Sequence, residues 1–143
     1  MDRESLLARS QAACAALSAD DNGLKREVLS HAGNRWSLGI VHALGVGGRL
    51  RHAEIGRRME GVTQRMLTRS LRQLERDGLI IRYDYQEKSP RVEYELSATG
   101  TALLEHMIPL WMWVIDNAAQ FRQSRTVFDA GELSAEKGLQ SKK

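Results

Sequence analysis

The chain has 143 residues, 42% of them apolar, which is enough to close one hydrophobic core in a single compact unit. Its one cysteine, Cys14, excludes an internal disulfide framework and a cysteine-based zinc site, and fits a reducing compartment. The net charge is only +3, but residues 49–91 hold eleven basic and six acidic side chains, and ten of the eleven are arginine, the electrostatic footprint of a nucleic-acid binder.

Leu6, Ala13 and Leu17 give a short helical pattern, an N-terminal arm over 1–22 that breaks at the turn formers Asp20, Asp21, Asn22 and Gly23. Helical periodicity resumes at Val28, pauses at Gly33 and Asn34, and runs from Trp36 to Leu44, where Gly45, Gly47 and Gly48 are expected to end it. A short helix is predicted over 52–59. Gly61 and Val62 then lead to Thr63, whose hydroxyl suits an N-cap. Two helices joined by a few residues containing glycine form a helix-turn-helix pattern, and the second helix is stopped by Gly78.

Beyond the stop, Ile81, Tyr83 and Tyr85 alternate with polar residues, as do Val92, Tyr94 and Leu96, and Lys88, Ser89, Pro90 and Arg91 form a turn-prone tip between them. This predicts a β-hairpin placed to act as a wing, so that 23–97 forms a winged helix-turn-helix domain. From Ser97 a long helix follows over 98–128, with an apolar stripe from Leu104 to Phe121 and Pro109 expected to kink it or mark a join. Residues 129–143 are polar and lack periodicity, and are expected to be disordered. The longest strongly apolar window, 107–115, is too short to cross a bilayer, and the N-terminus has no signal-peptide architecture. A cytoplasmic protein is expected, mainly α with a small β-hairpin (α+β).

On a helical wheel, Leu67, Leu71 and Leu74 share one narrow face, which must be buried. Arg65, Arg69, Arg72 and Arg76 gather opposite, flanked by Thr68. A helix fits the major groove, and an arginine fork donates two hydrogen bonds to O6 and N7 of guanine. Base-edge roles therefore go to Gln64, Arg65, Thr68 and Arg69, a phosphate role to Arg72, and a backbone-phosphate contact to Thr63 at the helix start. Lys88 and Arg91 at the wing tip are placed to reach phosphates or an adjacent minor groove. Against this stands the plainer reading that an arginine ridge on an amphipathic helix is a solvated face, which the flanking turn and basic-tipped hairpin outweigh.

These residues resemble the HxlR-type regulators, a winged-helix family related in fold to the MarR group. The resemblance runs from about Gly33 to Leu103. Its elements are Gly33-Asn34-Arg35-Trp36, Gly48 with Arg51 and Glu54-Ile55, Gly61 to Leu67, Leu71 to Glu75, Asp77 to Ile80, and the wing Pro90-Arg91-Val92-Glu93-Tyr94 with Leu96-Ser97 and Gly100. It implies a homodimeric transcription factor with its interface on the N- and C-terminal helices, making 98–128 a dimerisation helix, and DNA contacts from Thr63 to Arg72 and from Arg91. Dimer symmetry would be copied into a pseudo-palindromic operator of double-stranded DNA. Two positions depart from the family pattern. The Asn22-Gly23-Leu24 neighbourhood lacks the cysteine that many members carry there, and His52 stands where an aromatic is frequent and reads as a packing substitution.

No nucleophile-base grouping or phosphate-cradling loop is present, so no enzyme and no cofactor are expected. His31, His42, His52 and His106 lack ligand spacing, so no metal site is expected. Cys14, among alanines with no adjacent cation, reads as a buried or interface thiol. Met107, Trp111 and Trp113 read first as core or interface, with a pocket for a small aromatic or lipophilic effector as the alternative. The expected function is transcriptional repression or autoregulation. The rival from another class is a winged-helix protein-interaction module whose basic ridge binds an acidic partner.

Overall fold

A computed structural model describes residues 2–141. Helix α1 (Arg3–Ala15) starts at Asp2, whose carboxylate accepts from the Ser5 N–H at 2.8 Å, and it buries no residue. Helix α2 (Ala19–Gly33) starts earlier than the sequence suggests: the Ser18 hydroxyl accepts from the Asp21 N–H at 3.0 Å. Asp20 to Gly23 therefore lie inside α2 rather than in a turn. With the cap in place, Asp20 and Asp21 sit at the positive end of the helix dipole, where acidic side chains stabilise a helix.

Asn34 separates α2 from α3 (Arg35–Gly47) and caps the latter, its side-chain oxygen accepting from the Trp36 and Ser37 N–H groups. The helix ends at Gly48, whose φ of +72° is a conformation that favours glycine. Gly45 does not end it. A Cβ at Gly45 would overlap the Leu104 side chain, so the residue makes room for packing.

Strand β1 (Leu50–Arg51), helices α4 (His52–Arg57) and α5 (Gln64–Arg76), and strands β2 (Ile80–Asp84) and β3 (Val92–Leu96) follow in order. The three strands form an antiparallel sheet in the order β1-β3-β2, with Leu50 opposite Tyr94 and Arg82 also opposite Tyr94 from the other side. The hairpin wing is thus widened by a two-residue strand too short to show a period.

The core lies between the helices and the sheet: Ile40, Val41 and Leu44 from α3, Ile55 from α4, Leu67, Leu71 and Leu74 from α5, and Leu50, Ile80 and Tyr94 from the sheet. The polar side chains buried with it include His31, whose Nε2 lies 2.6 Å from Asp77 Oδ2 and whose Nδ1 lies 3.4 Å from Ser37 Oγ. This contact fastens α2 to the residue that closes α5.

Helix α6 (Ala98–Asp116) begins where the Ser97 hydroxyl donates to the Gly78 carbonyl and accepts from the Gly100 N–H. A Cβ at Gly100 would overlap the Leu79 carbonyl, so this approach requires glycine. Pro109 lies inside α6 without ending it. The break comes at Asn117, where the side-chain amide donates to the Trp113 carbonyl at 2.8 Å.

The chain divides into two compact units, one reaching Leu104 and one starting at Glu105. In the second, helix α7 (Ala118–Gln140) covers most of the segment expected to be disordered. That segment is rich in helix formers (Ala, Glu, Leu, Lys, Gln), and a helix exposed all round gives no periodic apolar signal. Lys142 and Lys143 of the expected tail lie outside the described residues. Among the described residues, no helix is long and apolar enough to cross a membrane.

Candidate nucleic-acid interface

Helix α5 is fixed at both ends. Gly61, at φ +80°, makes the turn before it, and the Thr63 hydroxyl accepts from the Met66 N–H at 3.2 Å, so this side chain is engaged in capping. Asp77 closes the helix and is held by His31, and Gly78 leaves it at φ +72°. Between these ends Leu67, Leu71 and Leu74 are at most 2% exposed. Burial of each leucine contributes roughly 1.5–3 kcal/mol, which locks the register of the opposite face.

That face carries Gln64, Arg65, Thr68, Arg69, Arg72 and Arg76, all exposed. The first five, with Gln73, line one shallow concavity along the helix. Among the described residues, Arg65, Arg69 and Arg72 enter no ion pair, so their guanidinium groups are available to an outside acceptor.

Thr68 is also reached from α4: His52 Nε2 lies 3.1 Å from Thr68 Oγ1. His52 is therefore more than the packing substitution read from sequence. A second cleft, between α5 and the sheet, is lined by Thr68, Arg72, Glu75, Arg82 and Tyr94. Arg82 brings a further cation to the edge of the ridge, paired with Asp84 at 3.5 Å. The sequence treats it as a polar residue in the alternation of β2.

The period of β2 is read correctly from sequence, but its buried face is not. Ile80 is buried while Ile81 is 41% and Tyr85 36% exposed. Tyr83 pairs with Glu93 on the outer face, whereas β3 turns Tyr94 inward as expected. The outward tyrosines are covered by arginines. Arg49 stacks 3.8 Å from the Tyr83 ring centre, donates to the Tyr85 hydroxyl at 3.0 Å and pairs with Glu95 at 2.8 Å. Arg91 stacks 4.1 Å from the Tyr85 ring and pairs with Glu93 at 3.0 Å and Glu87 at 3.7 Å. The hydrogen bonds that Arg49 donates to Tyr85 and that Arg91 donates to Glu93 raise both guanidinium pKa values. Arg91 is thus held along the wing, while Lys88 at the tip is exposed.

Met107 is buried, Trp111 half-buried and Trp113 exposed, its ring edge-on to Phe121 with 5.5 Å between centroids. Trp111 and Trp113 lie on opposite sides of α6, since two residues advance a helix by roughly 200°. Cys14 is exposed rather than buried, with Lys25 Nζ 3.6 Å from its Sγ, a cation that only folding brings near. Among the described residues, no three His, Cys, Asp or Glu side chains are grouped to hold a metal ion.

Residues 31–122 match the model of the HxlR-like helix-turn-helix family. The chain is similar to the HTH-type transcriptional regulator YtfH of Escherichia coli K12, with 38% identity over 89 residues that cover 62% of this chain and 70% of the relative. Among solved structures it is similar to the transcriptional regulator YtfH from Salmonella typhimurium (37% identity, TM-score 0.64, 71% of this chain and 89% of the other). It is also similar to the reduced form of the regulator YodB from Bacillus subtilis (30% identity, TM-score 0.56, 62% and 86%). These relatives are named as transcriptional regulators rather than enzymes. The chain belongs to the HxlR-like helix-turn-helix family of transcriptional regulators.

Proposed function

We propose that the protein is a sequence-specific regulator that binds double-stranded DNA as a homodimer and acts as a repressor or an autoregulator. The observation that carries this reading is the build of α5, in which a buried leucine face presents an exposed row of unpaired arginines on the second helix of a helix-turn-helix. Gln64, Arg65, Thr68 and Arg69 read base edges, Arg72 holds phosphate, and Thr63 places the helix start beside the backbone. Lys88 and Arg91 add phosphate contacts from the wing.

Dimerisation is supported by apolar surface that one copy leaves uncovered: Leu6 and Leu7 on α1, Ile108, Leu110 and Ile115 on α6, and Val127 and Phe128 on α7 are each more than 40% exposed. Two copies related by a two-fold axis read a pseudo-palindrome whose half-sites lie about one helical turn apart, or a multiple of it. An aromatic or lipophilic effector belongs to the same proposal at Met107, Trp111 and Trp113, and quenching of tryptophan fluorescence together with a change in DNA affinity tests that part.

Gel shift with genomic fragments against random competitor tests the whole. A specific shift with two protomers per site is the expected result. Binding to an acidic protein with no specific DNA shift would favour an interaction module instead.

A further inference from the structure

We propose that His52 is a positioning residue for sequence readout: from α4 it holds the Thr68 hydroxyl of α5 and fixes the orientation in which that hydroxyl meets a base edge. This rests on the reading of α5 as the helix in the major groove. The imidazole and the hydroxyl belong to different helices, sixteen residues apart, and meet at 3.1 Å. His52 is half-buried at the start of α4, while Thr68 stands exposed in the middle of the ridge, between Arg65 and Arg72.

A threonine hydroxyl carries one donor and two acceptor sites and rotates to suit its surroundings. On a helix it ordinarily turns back to a carbonyl in the preceding turn. Engagement with His52 removes that freedom. When Nε2 carries the proton, the hydroxyl accepts from the imidazole and its own hydrogen is left to donate outward, to guanine N7 or O6, adenine N7 or thymine O4. When Nε2 is bare, the hydroxyl donates to it and offers a lone pair to the amino group of adenine or cytosine. In the first state one lone pair remains beside the outward hydrogen and in the second only lone pairs are left, but in both the hydroxyl is held in one orientation instead of turning freely. An aromatic hydrocarbon at this position would fill the same space and leave the hydroxyl free to turn, so recognition would be less selective at that base pair.

The test uses the full chain. Selection from a random DNA library defines the operator, and affinities are then measured for every base pair at each half-site position, using wild type, Thr68→Val, His52→Phe, His52→Gln and the Phe/Val double variant. Thr68→Val and His52→Phe are each expected to reduce discrimination at the same base pair by roughly five- to tenfold, the worth of one directed hydrogen bond. The double variant is expected to be no worse than either single one, and His52→Gln to recover part of the discrimination. A cooperative thermal unfolding transition close to that of wild type shows that the variants are folded. Full discrimination in His52→Phe, additive losses in the double variant, or no change in Thr68→Val would each overturn the proposal. A wild type with no sequence preference would instead overturn the assignment of α5, a distinct outcome.

Discussion

The arginines of α5 and those of the sheet belong to one basic stretch of sequence, yet the fold treats them in opposite ways. Arg65, Arg69 and Arg72 project from a helix whose position is set by leucines, a cap and a His–Asp contact, and no acidic partner among the described residues holds them. Arg49 and Arg91 lie flat on tyrosines and are paired with Glu95, Glu93 and Glu87. The difference teaches that a count of cations does not measure what reaches DNA. An unpaired guanidinium on a rigid helix gains its full hydrogen bonding on contact, while a held one must exchange a carboxylate for a phosphate and gains only the difference.

The strongest way to break this contrast is to unseat α5. Leu71→Ala, at a side chain 1% exposed, is expected to cost about 2–5 kcal/mol in chemical denaturation, because the buried space cannot fully collapse. Thr63→Ala loosens the helix start alone and is expected to cost about 1 kcal/mol, read by the same measurement. On the wing, Glu93→Gln releases Arg91 from a half-buried pair. It is expected to tighten binding to all DNA sequences alike by less than about 1 kcal/mol, measured by fluorescence anisotropy at low salt. A tightening confined to the operator would place Arg91 among the base readers and erase the distinction.

Those parts of the fold that rest on local chemistry were legible in the sequence. Thr63 as a cap, Gly78 as a stop and the leucine face of α5 follow from neighbours within one or two turns, and the structure places each as expected. Other features depend on partners distant in sequence. The His31–Asp77 contact joins residues 46 positions apart, and His52 meets Thr68 across a turn, so no spacing rule reveals either. The face of β2 was misread because tyrosine suits a core as well as an outer face, and the covering arginines, Arg49 and Arg91, come from outside the strand. The second half of helix α7, residues 129–140, was missed because periodicity reports burial, and a helical segment without buried residues gives none. Arg82 could have been found by asking which strand residues adjoin the ridge, but that adjacency exists only after the sheet has packed beside α5.

The division of labour between helix and wing is tested most directly by measuring the affinities of Arg69→Ala and Arg91→Ala for the operator and for random DNA across a range of salt concentrations. Arg69→Ala is expected to lose about 1–3 kcal/mol of preference for the operator over random DNA. Arg91→Ala is expected to weaken both complexes alike and to lower the salt dependence by about one counterion. Equal losses on operator and random DNA for both variants would contradict the account.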